Sequence, residues 1–104
     1  MYSAIFLKTE NELNKVLRRQ RKTKNDIGIL FVSLWDDQSE KLVKEIRRNL
    51  WGDKGKPLYI VDSFKMPHAF VIFNTSKLPH LIQLKRGAME SEDYLSKVYE
   101  ELGL

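Results

Sequence analysis

The sequence predicts an α/β fold. It reads as one mixed sheet of about five strands flanked by three helices, in the order β-α-β-α-β-β-β-α. Three observations lead there. Apolar runs of strand length alternate with stretches whose apolar residues recur every three or four positions. The run I-G-I-L-F-V-S-L, residues 27–34, is apolar almost throughout, as in a strand covered on both faces. Two strand-like segments then follow one another before a closing helical pattern, which adds antiparallel strands to a parallel core.

Each element has its own signal. Residues 4–7, A-I-F-L, form a first short strand. Thr9 opens T-E-N-E with Glu12 three residues on, a capping box for a helix whose apolar face is Leu13, Val16 and Leu17. Cations at that helix's end suit the negative end of its dipole. After the 27–34 strand, Leu42, Val43, Ile46 and Leu50 make a second helical stripe. L-Y-I-V-D, residues 58–62, is a strand, and S-F-K-M leads from it to Pro67. A-F-V-I-F, residues 69–73, reads as another apolar strand, and N-T-S-K as a turn. H-L-I-Q-L-K, residues 80–85, alternates loosely as an outer strand would, starts beside Pro79 and ends at Gly87. Tyr94, Leu95, Val98, Tyr99 and Leu102 form the last amphipathic helix, with Gly103 at its stop.

Length and composition limit the function classes. The 104 residues suit a single domain, 1–104, large enough to bury a core without disulfides or metal. There is no cysteine, which excludes disulfide exchange, thiolate catalysis and cysteine-ligated zinc. Two histidines, His68 and His80, are too few for a metal site, and no cofactor motif is present. The start has no basic region ahead of its apolar residues, and no apolar run nears the roughly 20 residues of a membrane helix. The chain therefore reads as cytoplasmic. Its net charge of +4 is local: Lys15, Arg18, Arg19, Arg21, Lys22 and Lys24 lie together without an anion, and the other 12 basic residues face 14 acidic ones.

At I-L-F-V-S-L-W-D-D-Q-S the chain resembles the thioredoxin-fold family, with its central strand, its tryptophan and its redox tetrad. M-P-H-A-F-V-I-F resembles the proline-led strand facing that tetrad, and R-G-A the approach to the final helix. The resemblance puts Asp36 and Ser39 at the family's two cysteines, Trp35 at its tryptophan, and Met66-Pro67 at its cis X-Pro bond. The buried acid of the family falls on Leu30 and its lysine on Leu58, with Asp62 retained. Charges are costly to bury without a task, so this exchange fits a site that moves no protons. The resemblance also implies that the helix before the cis-proline strand is missing. Residues 63–66 could bridge two strand spacings, roughly 10 Å, at about 3.3 Å per extended residue. One sheet face would then be thin, with Phe64 over part of the gap.

Each candidate site has a plain reading beside a functional one. D-D-Q-S caps a helix whether Asp36 or Asp37 is the N-cap, for about 1 kcal/mol. As chemistry, Ser39 would be a nucleophile with His68 as base and Asp36 behind it, although no oxyanion-binding glycines accompany them. Glutathione transferases share the fold and some use a serine near this helix, but at the tetrad's first position, here Asp36. A metal held by Asp36, Asp37 and His68 is disfavoured, because adjacent carboxylates seldom converge. The basic patch has no interleaved aromatic residue for stacking on bases.

The leading expectation is a redox-inactive binding or scaffold module without enzymatic activity. A protein or peptide partner would sit in a groove of Trp35, Asp36, Asp37, Ser39, Met66, Pro67 and His68. The alternatives are a nucleic-acid-associated protein using residues 15–24, and a non-thiol enzyme or glutathione-binding protein using Ser39 and His68. A phage-encoded protein, acting in the host cytoplasm, would fit the compact cysteine-free form.

Overall fold

The computed structural model describes residues 2–52, 55–73, 77–86 and 88–104. Strand β1 (Tyr2–Phe6) leads to helix α1 (Glu10–Thr23), then β2 (Ile27–Val32), α2 (Asp37–Asn49) and β3 (Lys56–Asp62). Helix α3 (Pro67–Ile72), strands β4 (His80–Lys85) and β5 (Ala88–Glu92), and helix α4 (Leu95–Leu102) follow. The five strands lie in the order β1-β3-β2-β4-β5. The first three are parallel; β4 runs antiparallel to β2, and β5 antiparallel to β4.

The sequence pattern explains this placement. In β2, Ile27, Ile29 and Phe31 enter one core, while Leu30 and Val32 enter the other. Both faces are covered, so the strand needs no polar side and does not alternate. Leu42, Val43 and Ile46 of α2 with Val98 and Leu102 of α4 close the core of Leu30 and Val32. Leu13 of α1 and Ala69 of α3 close the other. The capping box at Thr9 forms: Glu12 N–H donates to Thr9 Oγ1 at 3.2 Å, and Thr9 N–H donates to Glu12 Oε1 at 3.0 Å. Gly28 sits where a Cβ would stand 2.9 Å from Leu58 Cδ1 and 3.0 Å from Tyr2 Cε1. The Tyr2 ring has little room to retreat, because Gln83 Nε2 donates to its hydroxyl at 2.7 Å.

The second half corrects several expectations. Residues 69–73 are not a strand; they fall in α3, with Phe73 as its C-cap. Met66, Ala69, Phe70 and Phe73, at helical spacing, turn toward the core, while His68 and Val71 face solvent. The helix that was expected to be missing is therefore present but short, and among the described residues the flanking helices number four. It covers the face expected to be thin, and Phe64 is left 75% exposed. The cis bond is Leu78-Pro79, not Met66-Pro67. The proline-led strand is β4, which lies beside the central β2 instead of at the edge. The edge belongs to β5, whose A-M-E-S-E carries no apolar alternation; charges on an outer strand deter pairing with other chains. The expected turn at 74–77 and the stop at Gly87 lie mostly outside the described residues.

Among the described residues, no helix is long and apolar enough to cross a membrane.

Candidate functional site

The site forms where β2 ends. Ser33, Leu34 and Trp35 make a tight turn, closed by Asp36 N–H donating to Ser33 O at 3.0 Å. Asp36 is the N-cap of α2: its backbone is extended, and its Oδ2 accepts from Ser39 N–H at 2.9 Å. This selects one of the two capping registers that the sequence allowed. Glu40 is free of the cap and pairs with Lys44 at 3.2 Å. Asp37 is exposed in the first helical turn, where the dipole favours a carboxylate.

Capping has a consequence for the exposed turn. A fixed N-cap leaves Leu34 and Trp35 outside the helix and above the sheet, 51% and 84% exposed. Phe64, in the turn after β3, is beside them. Leu34, Trp35, Asp62, Phe64 and Lys65 line a hollow of ≈ 340 Å³. Asp62 shapes its far wall, since its Oδ1 accepts from Phe64 N–H at 3.2 Å. A second hollow of ≈ 580 Å³ lies on the β4 side of β2, where Gln38 of α2 meets Leu78, Tyr94 and Leu95. Tyr94 is 69% exposed there. The β2–α2 joint thus stands between two open, largely apolar depressions.

The expected groove residues divide. Trp35, Asp36 and Asp37 are at the joint. Ser39 is fully buried on the inward stripe of α2, and its Oγ has no hydrogen-bond partner among the described residues. Met66 is fully buried in the core beneath α3, so it lines no groove. Pro67 and His68 are exposed on α3. Helices α2 and α3 pack on opposite faces of the sheet, so Ser39 and His68 are not brought together. The cis-proline pair Leu78-Pro79 instead precedes β4, whose His80 pairs with Phe31 near the end of β2.

Sequence reasoning missed His80. It pairs with Phe31 across β2 and β4, the two rings edge-on at 6.3 Å. Both its ring nitrogens are buried without hydrogen-bond partners among the described residues. Burial pushes its pKa below the ordinary 6.5, against the pull of Asp93 and Glu92. Its edge-on packing against Phe31 and its burial both favour the neutral ring.

Leu30 and Leu58 stand where a buried charge would have no partner. Both are fully buried in one apolar core. Among the described residues, no group of three or more His, Asp or Glu could hold a metal ion.

No protein-family model matches the chain, and no curated protein matches it. Its fold is similar to that of oxidised thioredoxin O2 from Arabidopsis thaliana, with TM-score 0.74 and 22% identity over 96% of this chain and 94% of that one. Schistosoma mansoni thioredoxin gives TM-score 0.72 and 17% identity over 97% and 94% of the two chains. Plasmodium falciparum thioredoxin gives 0.70 and 18% over 97% and 85%. At these identities the likeness establishes the fold.

Proposed function

Starting from a thioredoxin fold that has no cysteine, we propose that the chain is a redox-inactive module that binds an extended protein segment at the β2–α2 joint. The observation that carries this is the exposure of Leu34, Trp35 and Phe64 around one hollow. Isolated apolar residues on a surface are ordinary, whereas a cluster of large ones around a depression marks a contact site. Aromatic side chains of this kind anchor partners by burying large area at small entropic cost. The partner would insert an apolar side chain between Trp35 and Phe64. Lys65 and Asp62 give the hollow a polar edge that would favour one orientation. The second hollow, with Leu78 and Tyr94, could receive a residue from the other end of the segment.

The non-thiol enzyme reading loses its support, because Ser39 Oγ is buried and His68 lies on the other face of the sheet.

Selection of random dodecapeptides against the immobilised protein tests the proposal. Selected peptides should share an apolar anchor and should shift the amide resonances of Leu34, Trp35 and Phe64. In a Trp51→Phe background they should also change Trp35 fluorescence. Trp35→Ala with Phe64→Ala should weaken binding at least tenfold, as loss of two anchors does. Failure to select any peptide, or shifts centred elsewhere, would refute the groove. Insulin reduction above the rate with dithiothreitol alone would refute redox inactivity.

A further inference from the structure

The groove leaves the basic stretch of the chain unused, and its geometry is informative. Lys15, Arg18, Arg19 and Lys22 lie at i, i+3, i+4 and i+7 on α1, which places them in one stripe. Leu13, Val16 and Leu17, which pack into the core, are on the opposite side of that helix. All four cations are exposed. Among the described residues, none of them is within 4.0 Å of a carboxylate, because no ion pair of the molecule includes α1. Helix α2 treats its cations differently. There Lys44 pairs with Glu40, Arg48 with Glu45, and Arg47 stacks 4.2 Å over the Phe6 ring.

The positive surface continues past the end of α1. Arg21 and Lys24 share a hollow of ≈ 400 Å³ with Gln20, Leu84, Lys85, Ala88 and Met89. No carboxylate is among these lining residues, but Lys85 is itself paired with Glu90 at 3.2 Å, so among the described residues Arg21 and Lys24 supply the unpaired charge. Lys24 holds a left-handed backbone, φ 56°, at the C-cap, a place that favours glycine. The helix dipole accounts for cations in the last turn, but its influence does not extend back to Lys15, Arg18 and Arg19.

We infer that the solvent face of α1, with the hollow at its end, is a binding site for the phosphate backbone of double-stranded nucleic acid. The character of the stripe decides among anionic partners. Protein interfaces centre on buried aromatic or aliphatic anchors, and the stripe of Lys15, Arg18, Arg19 and Lys22 has none; Leu84, Ala88 and Met89 lie only in the hollow beyond it. Membrane-surface helices need apolar residues along the helix beside the cations, whereas Leu13, Val16 and Leu17 of α1 turn to the core. Single strands are held by stacking aromatics, and the stripe has none. Cations alone suit contacts to a duplex backbone, which are independent of sequence. The stripe spans about 10 Å, seven residues at about 1.5 Å each. That length of duplex axis carries about six phosphate charges, enough for every cation of the stripe. The arginine forks can meet phosphate oxygens in pairs.

The test uses the full chain and a fluorescently labelled 20-base-pair duplex, with anisotropy read from 50 to 200 mM KCl. Four phosphate contacts predict a log–log salt slope near about −3.6, and so a roughly hundredfold loss of affinity across that range. Two duplexes of unrelated sequence should bind alike. Arg18→Gln, Arg19→Gln and Lys22→Gln together should reduce the slope by about 2.7. Lys41→Gln, Lys44→Gln and Arg48→Gln together remove the same net charge from α2 and should leave binding unchanged. Glutamine is a good helix former, so the α1 variant should melt no lower than the parent, which separates lost binding from lost folding. Four results would overturn the inference: no binding at 50 mM KCl, equal loss in both triple variants, tighter binding to single strands, or binding to poly-glutamate as tight as to the duplex. The last would assign the face to acidic proteins.

Discussion

Asp36 and Ser39 occupy the two ends of one short motif, and burial separates their roles. Asp36 uses its carboxylate on the Ser39 amide. Asp36→Ala should therefore cost about 1 kcal/mol in urea unfolding, as cap removal does. Ser39 should behave in the opposite way. Its hydroxyl is buried and makes no hydrogen bond among the described residues, so removing it eliminates an unmet desolvation cost of about 1–3 kcal/mol. Alanine also favours the helix. Ser39→Ala should leave stability unchanged or raised, and a loss above about 1 kcal/mol would mean that the hydroxyl has a partner. His80 gives a pH prediction. Its pKa is lowered in the fold by burial, with Asp93 and Glu92 opposing, so the folded state prefers the neutral ring. Above the ordinary 6.5 the ring is neutral in both states and this stability is complete. As pH falls through 6.5, the unfolded chain binds the proton first and stability declines, until the folded ring also titrates. His80→Leu should remove this part of the decline in pH-dependent denaturant midpoints. An unchanged profile would assign the decline to other groups.

Helix α3 shows how an element can be hidden by a motif. K-M-P-H at residues 65–68 and K-L-P-H at 77–80 differ by one side chain, and each precedes apolar residues. Either could lead the strand beside the central one, and the more apolar choice was the wrong one. Periodicity contained the answer. Residues 66, 69, 70 and 73 recur at helical spacing and turn inward, with Phe70 and Phe73 packed 5.0 and 5.3 Å from the Phe31 ring. In β4 successive residues serve opposite cores, Leu81 one and Ile82 the other, as they do in β2. A short apolar run does not distinguish a buried strand from a buried helix, so the fold class and first five elements were legible while the sixth was not. The N-cap at Asp36 is legible in the sequence because capping is local, whereas Phe64 and Leu78 reach the joint only through tertiary placement. Met66→Ala tests the reassignment. As a fully buried core residue it should cost about 2–5 kcal/mol. His68→Ala, two residues on and exposed, should cost under about 0.5 kcal/mol. A mild Met66→Ala would return this residue to the surface and α3 to doubt.

At the scale of the whole molecule, the two proposed sites lie at opposite ends of the sheet. Leu34 and Trp35 follow the last residue of β2, whereas Lys24 precedes its first, and Lys85 pairs with Lys24's end of the strand through the Ile27–Leu84 register. Six strand residues at about 3.3 Å each, with the turns beyond them, put roughly 20 Å between the peptide hollow and the basic hollow. The Debye length is about 8 Å at physiological ionic strength, so a charge bound at one end is nearly invisible at the other. The peptide hollow and the basic hollow share no lining residue. Coupling through structure would need an element with two arrangements, and β2, buried on both faces between β3 and β4, offers none. Peptide and duplex should therefore bind independently. The dissociation constant of a selected peptide, measured by titration at 150 mM KCl with and without saturating duplex, should change less than about twofold, a coupling below about 0.4 kcal/mol. By reciprocity the duplex affinity should be equally indifferent to peptide. Competition between the two ligands would place both on one surface, and mutual strengthening would require a conformational change that links the ends of β2.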